Sequence, residues 1–346
     1  MPSRPTRDPV LLIGQVEVRR LLPMGRCIDL MGEALAALGR GDGLNPLRSA
    51  LPTPDGSGLL CVMPGYLGAP PVVGIKVITI FEGNHAAGLD SHQGWVLLFD
   101  AGDGRPVAAV DAGEITAIRT AAVSGLATRL LARPDASSLA LLGSGVQART
   151  HLEAMLAVRP IERIRVWSRT RSHAEALAAG HQEAGGEPVE VVDTPRAAVE
   201  DADLVCTTTA SPEPIVEGGW LAPGCHLNDV GSSVANEREL DTEAVRRSRL
   251  FVDRRESTLN EAGDFLIPRA EGAVDDGHIV GELGEILLGE CEGRRSAEEI
   301  TLFKSLGLAV EDLAAAHHVY REASRLGAGA RFGLTEPPPP GGPGSG

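Results

Sequence analysis

The chain has 346 residues, 43% of them hydrophobic, and a formal net charge of −15. That length exceeds one average domain and predicts two. The acidic balance argues against nucleic acid or an anionic membrane as partner, since either would repel the chain, and it suits an enzyme of small molecules.

Five scattered cysteines (Cys27, Cys61, Cys206, Cys225 and Cys291) form no C-x-x-C pair, which predicts neither a disulfide framework nor a zinc site. The sequence shows no apolar leader and no run of ~18 apolar residues. The expectation is a cytoplasmic protein with reduced thiols and no metal.

Residues 1–10 are polar and read as loose. Over 27–39, Ile28, Met31, Ala34, Leu35 and Leu38 recur at helical spacing and Gly39 marks the stop. The β-branched stretches 59–63 and 72–81 read as strands. Residues 94–110 form the clearest hairpin, with an Asp-Gly turn region between two apolar runs. A helix is predicted from about 115 to 131, halted by Arg133-Pro134.

From 137 onward strands and helices alternate. A buried strand at 137–143 leads into a helix from 146. The strand at 163–169 leads into a helix at 172–185, and short strands follow within 188–193, 202–209 and 224–232. Such alternation predicts a parallel sheet. The predicted organisation is α/β: a mixed α+β domain over 1–125, joined by 301–330, of which 301–325 reads as helical, and a doubly wound parallel-sheet domain over 126–300. Residues 331–346, rich in Pro and Gly, read as a disordered tail.

Gly143-Ser144-Gly145-Val146-Gln147-Ala148 is a G-x-G-x-x-A pattern between a predicted strand and a predicted helix. Gly143 permits the tight turn, Gly145 lets the backbone approach a pyrophosphate, and Ala148 lets the helix pack close to the sheet. The helix start supplies free N–H groups and positive potential for phosphates. A dinucleotide that needs its ribose hydroxyls held usually finds Asp or Glu at the end of the second strand. Here the chain reads Val166-Trp167-Ser168-Arg169-Thr170, and the acid is missing. A guanidinium suits a 2′-phosphate, so Arg169, with Ser168 and Thr170, favours NADP(H) over NAD(H). The alternative is a solvated surface arginine.

Three cations precede that domain. Lys76 stands alone inside an apolar strand, on one face with Val72, Gly74, Ile78 and Ile80. A desolvated lysine can give or take a proton near neutral pH, whereas an edge-strand lysine merely blocks aggregation. Arg119 falls early in its predicted helix, where a cation opposes the helix dipole unless an anion such as a substrate carboxylate sits there. Arg48, on a Pro-bounded loop, is a second candidate clamp or a surface charge.

The segments EITAIRTAAVSGLAT, LLGSGVQARTHLEAM, VWSRT, VGSSVANERELD, EAGDFL and EITLFKSLGLAVEDLAAA, in this order between about Arg48 and Ala316, resemble the ornithine cyclodeaminase/mu-crystallin family. The resemblance implies a homodimer built on the first domain's strands, a Rossmann-type nucleotide domain, and an active site in the cleft between the domains. It implies that Arg48 and Arg119 hold a substrate carboxylate and that Lys76 contacts the carboxylate or an imine. It also implies that Thr120, Thr207, Thr208, Val230 and Gly231 join the glycine loop against the cofactor, while residues 301–307 close over the nicotinamide side.

The VWSRT segment looks like the NADP-preferring branch of that family. One departure stands out. The cyclodeaminases carry an Asp two residues after the Val-Gly pair, and here that position is Ser233. A hydroxyl is no carboxylate base. Asp229, just before the pair, is either a displaced acid or a polar residue at a strand end.

The expectation is NADPH-dependent reduction of a C=N bond beside a carboxylate, a cyclic imino acid becoming an amino acid, or the reverse. Redox-neutral deamination with bound NAD and a non-catalytic ligand-binding role are the alternatives.

Overall fold

The computed structural model describes residues 9–81, 83–84 and 88–333. The elements run β1 (Val10–Ile13), α1 (Gln15–Leu21), α2 (Met24–Gly39), β2 (Gly43–Leu44), β3 (Ser49–Pro52), β4 (Leu59–Gly68), β5 (Pro71–Ile80), β6 (His92–Asp100), β7 (Pro106–Asp111) and α3 (Ala112–Leu131). Then come β8 (Ser138–Leu142), α4 (Val146–Val158), β9 (Arg163–Trp167), α5 (Arg171–Glu183), β10 (Val189–Val191), α6 (Pro195–Val199), β11 (Leu204–Thr207) and β12 (His226–Asp229). The chain closes with α7 (Thr242–Arg247), β13 (Arg249–Val252), α8 (Arg255–Glu261), α9 (Gly263–Ala270), β14 (Ile279–Glu282), α10 (Leu283–Leu287), β15 (Thr301–Lys304), α11 (Ala309–Leu326) and β16 (Ala330–Phe332).

Two sheets result, one mixed and one parallel, in an α/β fold. The mixed sheet follows the order β16-β1-β7-β6-β5-β4-β2, with β3 also paired to β4. The other runs β10-β9-β8-β11-β12-β15-β13-β14, and every pair in it is parallel. Its first strand, β8, is buried along its whole length because helices cover both faces, which is why it reads as an unbroken apolar run. The strand order reverses between β8 and β11. Ligands of such sheets enter at that point, outside the carboxyl ends of the strands.

The helices α2, α3 and α11 form a layer between the sheets and share one continuous core with both. Almost all of α3 is buried, including its polar Ser124 and Thr128, because it has neighbours on every side. Gly74 sets the position of α11. A Cβ there would lie 2.4 Å from a Leu313 methyl, so its absence lets α11 rest directly on β5. Among the described residues no helix is long and apolar enough to cross a membrane.

The expected boundaries need correction. Position 125 falls inside the continuous helix α3. Residues 301–304, expected within a helical segment of the first domain, are a strand of the parallel sheet, pairing β12 on one side and β13 on the other. Four buried residues are too few to show strand periodicity. Residues 330–332 pair with β1, so the expected tail begins too early, and 334–346 lie outside the described residues. At the other end, Val10 already belongs to β1, while 1–8 lie outside the described residues.

Candidate active site

The turn after β8 lines a crevice of about 390 Å³ with Gly143, Ser144, Gly145, Trp167, Ser168, Arg169, Thr170 and Thr208 among its walls. Gly143 has φ +121°, and a Cβ there would lie 2.5 Å from Thr208 Oγ1, so the turn demands glycine on both counts. No side chain caps the first turn of α4, and its N–H groups stay open to an anion. Ser144 Oγ donates to Ser168 Oγ at 2.9 Å and ties the glycine loop to the end of β9. Thr208 Oγ1 donates to the Leu142 carbonyl at 3.0 Å.

Three arginines crowd this end of β9. Arg165 donates to the carbonyls of Ala197 and Glu200, and Arg171 pairs with Glu175 and Asp193. Arg169 is exposed, faces the crevice and has no ion-pair partner among the described residues. Two buried oxygens without a hydrogen-bond partner among the described residues, Thr120 Oγ1 and Gln147 Oε1, belong to the facing helices α3 and α4. An open helix start, a glycine turn with no room for a side chain and these orphaned acceptors fit a dinucleotide.

Lys76 lies on the buried face of β5 with Val72, Gly74 and Ile78, and is 2% exposed. The strand is central: Met63 of β4 and Val96 of β6 flank it. The edge-strand alternative therefore fails. Its Nζ sits 2.8 Å from Asp312 Oδ2 and 3.5 Å from Thr116 Oγ1. Burial pulls the ammonium down, Asp312 pulls it back, and the result is about 8.

Arg119 is also buried, but not for the expected reason. Asp111 caps α3 by accepting from Glu114 N, so the helix starts at Ala112 and Arg119 lies two turns inside it, beyond the reach of the terminal dipole. Its anions come from α11 instead. Nε donates to Asp312 Oδ1 at 2.8 Å and Nη1 to Glu311 Oε2 at 2.9 Å. Burial holds the Glu311 carboxyl up at about 7, against the pull of Arg119. Arg48 donates through Nε to Glu261 at 2.8 Å and through Nη2 to the Leu306 carbonyl at 3.0 Å. The N–H groups of Leu306 and Gly307 donate to the buried Asp253 carboxylate at 2.6 and 2.7 Å.

A second ion cluster sits at the ends of β12 and β15. Lys304 Nζ donates to the Ser232 carbonyl at 2.7 Å and to Asp264 at 2.9 Å, and lies 3.1 Å from Asp229 Oδ2. Asp229 is wholly buried and also accepts from Thr207 Oγ1 at 3.2 Å. Burial and the Asp264 charge push the Asp229 carboxyl well up. Glu239 accepts from the N–H groups of Thr209 and Gly231, both at 2.7 Å, and fixes the Val230-Gly231 turn. Ser233 is exposed beyond that turn.

The structure thus gathers Lys76, Arg119 and Arg48 around residues 306–312, and Thr116 links Lys76 to α4, the helix that follows the glycine loop. The carbonyl of Thr116 accepts from Gln147 Nε2 at 3.5 Å while its hydroxyl meets Lys76.

Residues 9–326 match the ornithine cyclodeaminase/mu-crystallin family. The chain belongs to that family. Among its members, a ketimine reductase mu-crystallin of Mus musculus is 40% identical over 317 residues, spanning 91% of this chain and 97% of its own. A Thermococcus litoralis Delta(1)-pyrroline-2-carboxylate reductase, solved in complex with NADH and L-proline, superposes with a TM-score of 0.90 at 39% identity, covering 93% of this chain and 99% of its own. An archaeal alanine dehydrogenase dimer with bound NAD superposes with a TM-score of 0.88 at 28% identity, over 94% and 99%.

Sequence reasoning missed Glu311, Asp312, Asp253 and Lys304. Lys304 left only a partial signal, a lone lysine after Thr-Leu-Phe, without the strand alternation that marked Lys76.

Proposed function

We propose that this protein reduces a C=N bond beside a carboxylate, taking a cyclic imino acid to the amino acid. It is an oxidoreductase of the C=N class, as the named activities of its mouse and archaeal relatives support. The observation that carries the reading is the double contact of Thr116, which links a buried lysine of lowered pKa to α4, the helix whose open start follows the glycine loop.

The glycine loop, the open start of α4, Thr208, Val230-Gly231 and the orphaned oxygens of Thr120 and Gln147 would hold that dinucleotide, which supplies the hydride. Lys76 gives a proton to the nitrogen as the C–H bond forms, and recovers it from solvent. Arg119 and Arg48 grip the carboxylate and hold the C=N carbon in line. Asp229, wholly buried against Lys304, is a counter-ion in this scheme and not the displaced acid.

Arg169 is free to hold a 2′-phosphate, so NADPH is the preferred cofactor. A second copy covers the outer face of the mixed sheet, where Val73 and Trp95 are 42% and 45% exposed in the middle of the sheet.

The test is NADPH oxidation with five- and six-membered cyclic imino acids. No oxidation above background with any of them rejects the reading, and ammonia release from ornithine with NAD replaces it with cyclodeamination. Arg169→Ala is expected to weaken NADPH by about 1.5–3 kcal/mol and leave NADH unchanged. Sedimentation at micromolar concentration is expected to show a dimer, and Trp95→Glu to dissociate it.

A further inference from the structure

We propose that Asp312 is a positioning residue, one carboxylate that holds the Lys76 ammonium and the Arg119 guanidinium in place beside each other where α11 packs on β5. This rests on the role given to Lys76 above. The two oxygens of Asp312 are divided: Oδ1 accepts from Arg119 Nε and Oδ2 meets Lys76 Nζ, each at 2.8 Å. Asp312 is wholly buried, so no water can replace either contact.

The two cations are not equally provided for. Arg119 keeps a second carboxylate, Glu311, whereas Asp312 is the only anion in contact with Lys76 among the described residues. The placement follows from the chain. Asp312 lies in the first turn of α11, where a carboxylate is favoured by the helix dipole, and Gly74 lets that turn down onto β5 two residues from Lys76.

Among the described residues, the other groups facing Lys76 are neutral or cationic. Arg119 and the Thr116 hydroxyl come from α3, Arg48 from the loop before β3, and the Cys61 thiol from β4, while β6 presents Val96. Glu311 stands behind Arg119. Without the Asp312 charge, Lys76 is left buried beside two guanidiniums, and both burial and repulsion drive its proton off. The residue therefore aims the donor and also keeps it loaded.

The experiment is the pH profile of kcat for NADPH-dependent reduction of Delta(1)-pyrroline-2-carboxylate. Activity needs the ammonium, so it falls as pH rises through the Lys76 pKa. In Asp312→Asn that fall moves down by about one pH unit or more, a loss of about tenfold or more above it and far less below it. Asp312→Glu restores the charge and returns the fall to its original pH, with a lower plateau from the displaced oxygens.

Glu311→Gln removes the carboxylate that meets Arg119 and the Leu308 N–H but not Lys76, and leaves the fall where it was. An Asp312→Asn loss that is uniform at every pH, or a shift in Glu311→Gln as large as in Asp312→Asn, overturns the proposal. Should the amide variant prove unstable, Asp312→Glu decides: a plateau equal to the wild type means the position of the carboxylate is immaterial. Lys76→Met separates the two levels. Full activity there rejects the role of Lys76 and this inference with it, while an inactive Lys76→Met beside an unshifted Asp312→Asn rejects only this one.

Discussion

Lys76 and Lys304 are equally buried, one in each sheet, yet they are pushed in opposite directions. Lys76 touches one carboxylate, which it shares with an arginine, and falls to about 8. Burial also works against Lys304, but Asp229 and Asp264 outweigh it and hold its proton more firmly than in water. Two buried histidines extend the series. His226 bonds to Thr301 and His151 to Ser124 and the Gln147 carbonyl, with no anion touching either, and burial takes them down to about 3 and about 4. What makes a buried base a proton donor near neutral pH is the number of anions it meets, and one shared anion is the intermediate case.

The sharpest way to break this contrast is to remove each lysine. Lys76→Met is expected to cut imine reduction by about 10²–10⁴-fold with cofactor binding retained, since it takes away the proton donor. Stability changes less, because Asp312 keeps Arg119. Lys304→Met strips the neutralising charge from two buried carboxylates, and urea midpoints are expected to show a loss of about 3–5 kcal/mol. If instead Lys304→Met is stable and catalytically dead, the two lysines have been assigned the wrong way round.

Asp229→Asn keeps a polar group of the same shape and leaves Asp264 on Lys304. The expected cost is about 1–3 kcal/mol of stability, with no movement of the pH profile. A complete loss of turnover while Lys76→Met stays active makes Asp229 the acid. A stability effect of similar size, set by pH, comes from the two histidines. Their folded pKa values are depressed, so below about 6.5 the unfolded chain binds protons that the folded chain refuses, and stability falls as pH falls. The slope is about 1.4 kcal/mol per pH unit for each histidine, down toward the folded values. Unchanged stability between about pH 7 and about pH 5 contradicts neutral burial.

Much of the fold was legible in the sequence. The parallel sheet announced itself because β8 is apolar throughout and a glycine turn and helix follow it. Lys76 was legible because a charge inside a period-two apolar strand has few ordinary explanations. Arg119 was singled out on a mistaken argument, since the cap at Asp111 starts its helix earlier than the apolar pattern does. Glu311 and Asp312 escaped notice because acids at the start of a helix already have a local explanation in the dipole. That β15 enters between β12 and β13 is a crossover, and no periodicity records where a strand is inserted.

That insertion bears on how the protein is made. The parallel sheet lacks an interior strand until residues 301–304 have been synthesised, and the mixed sheet lacks its covering helix and its edge strand until 309–332 follow. Neither half can close as the ribosome delivers it, and the decisive contacts join the two ends of the chain. Such non-local closure is expected to slow folding, with completion only after residues 301–332 are available. A nascent chain stalled before residue 301 lacks an interior strand of one sheet and a covering helix of the other, so residues 301–332 govern whether the part made before them stays soluble.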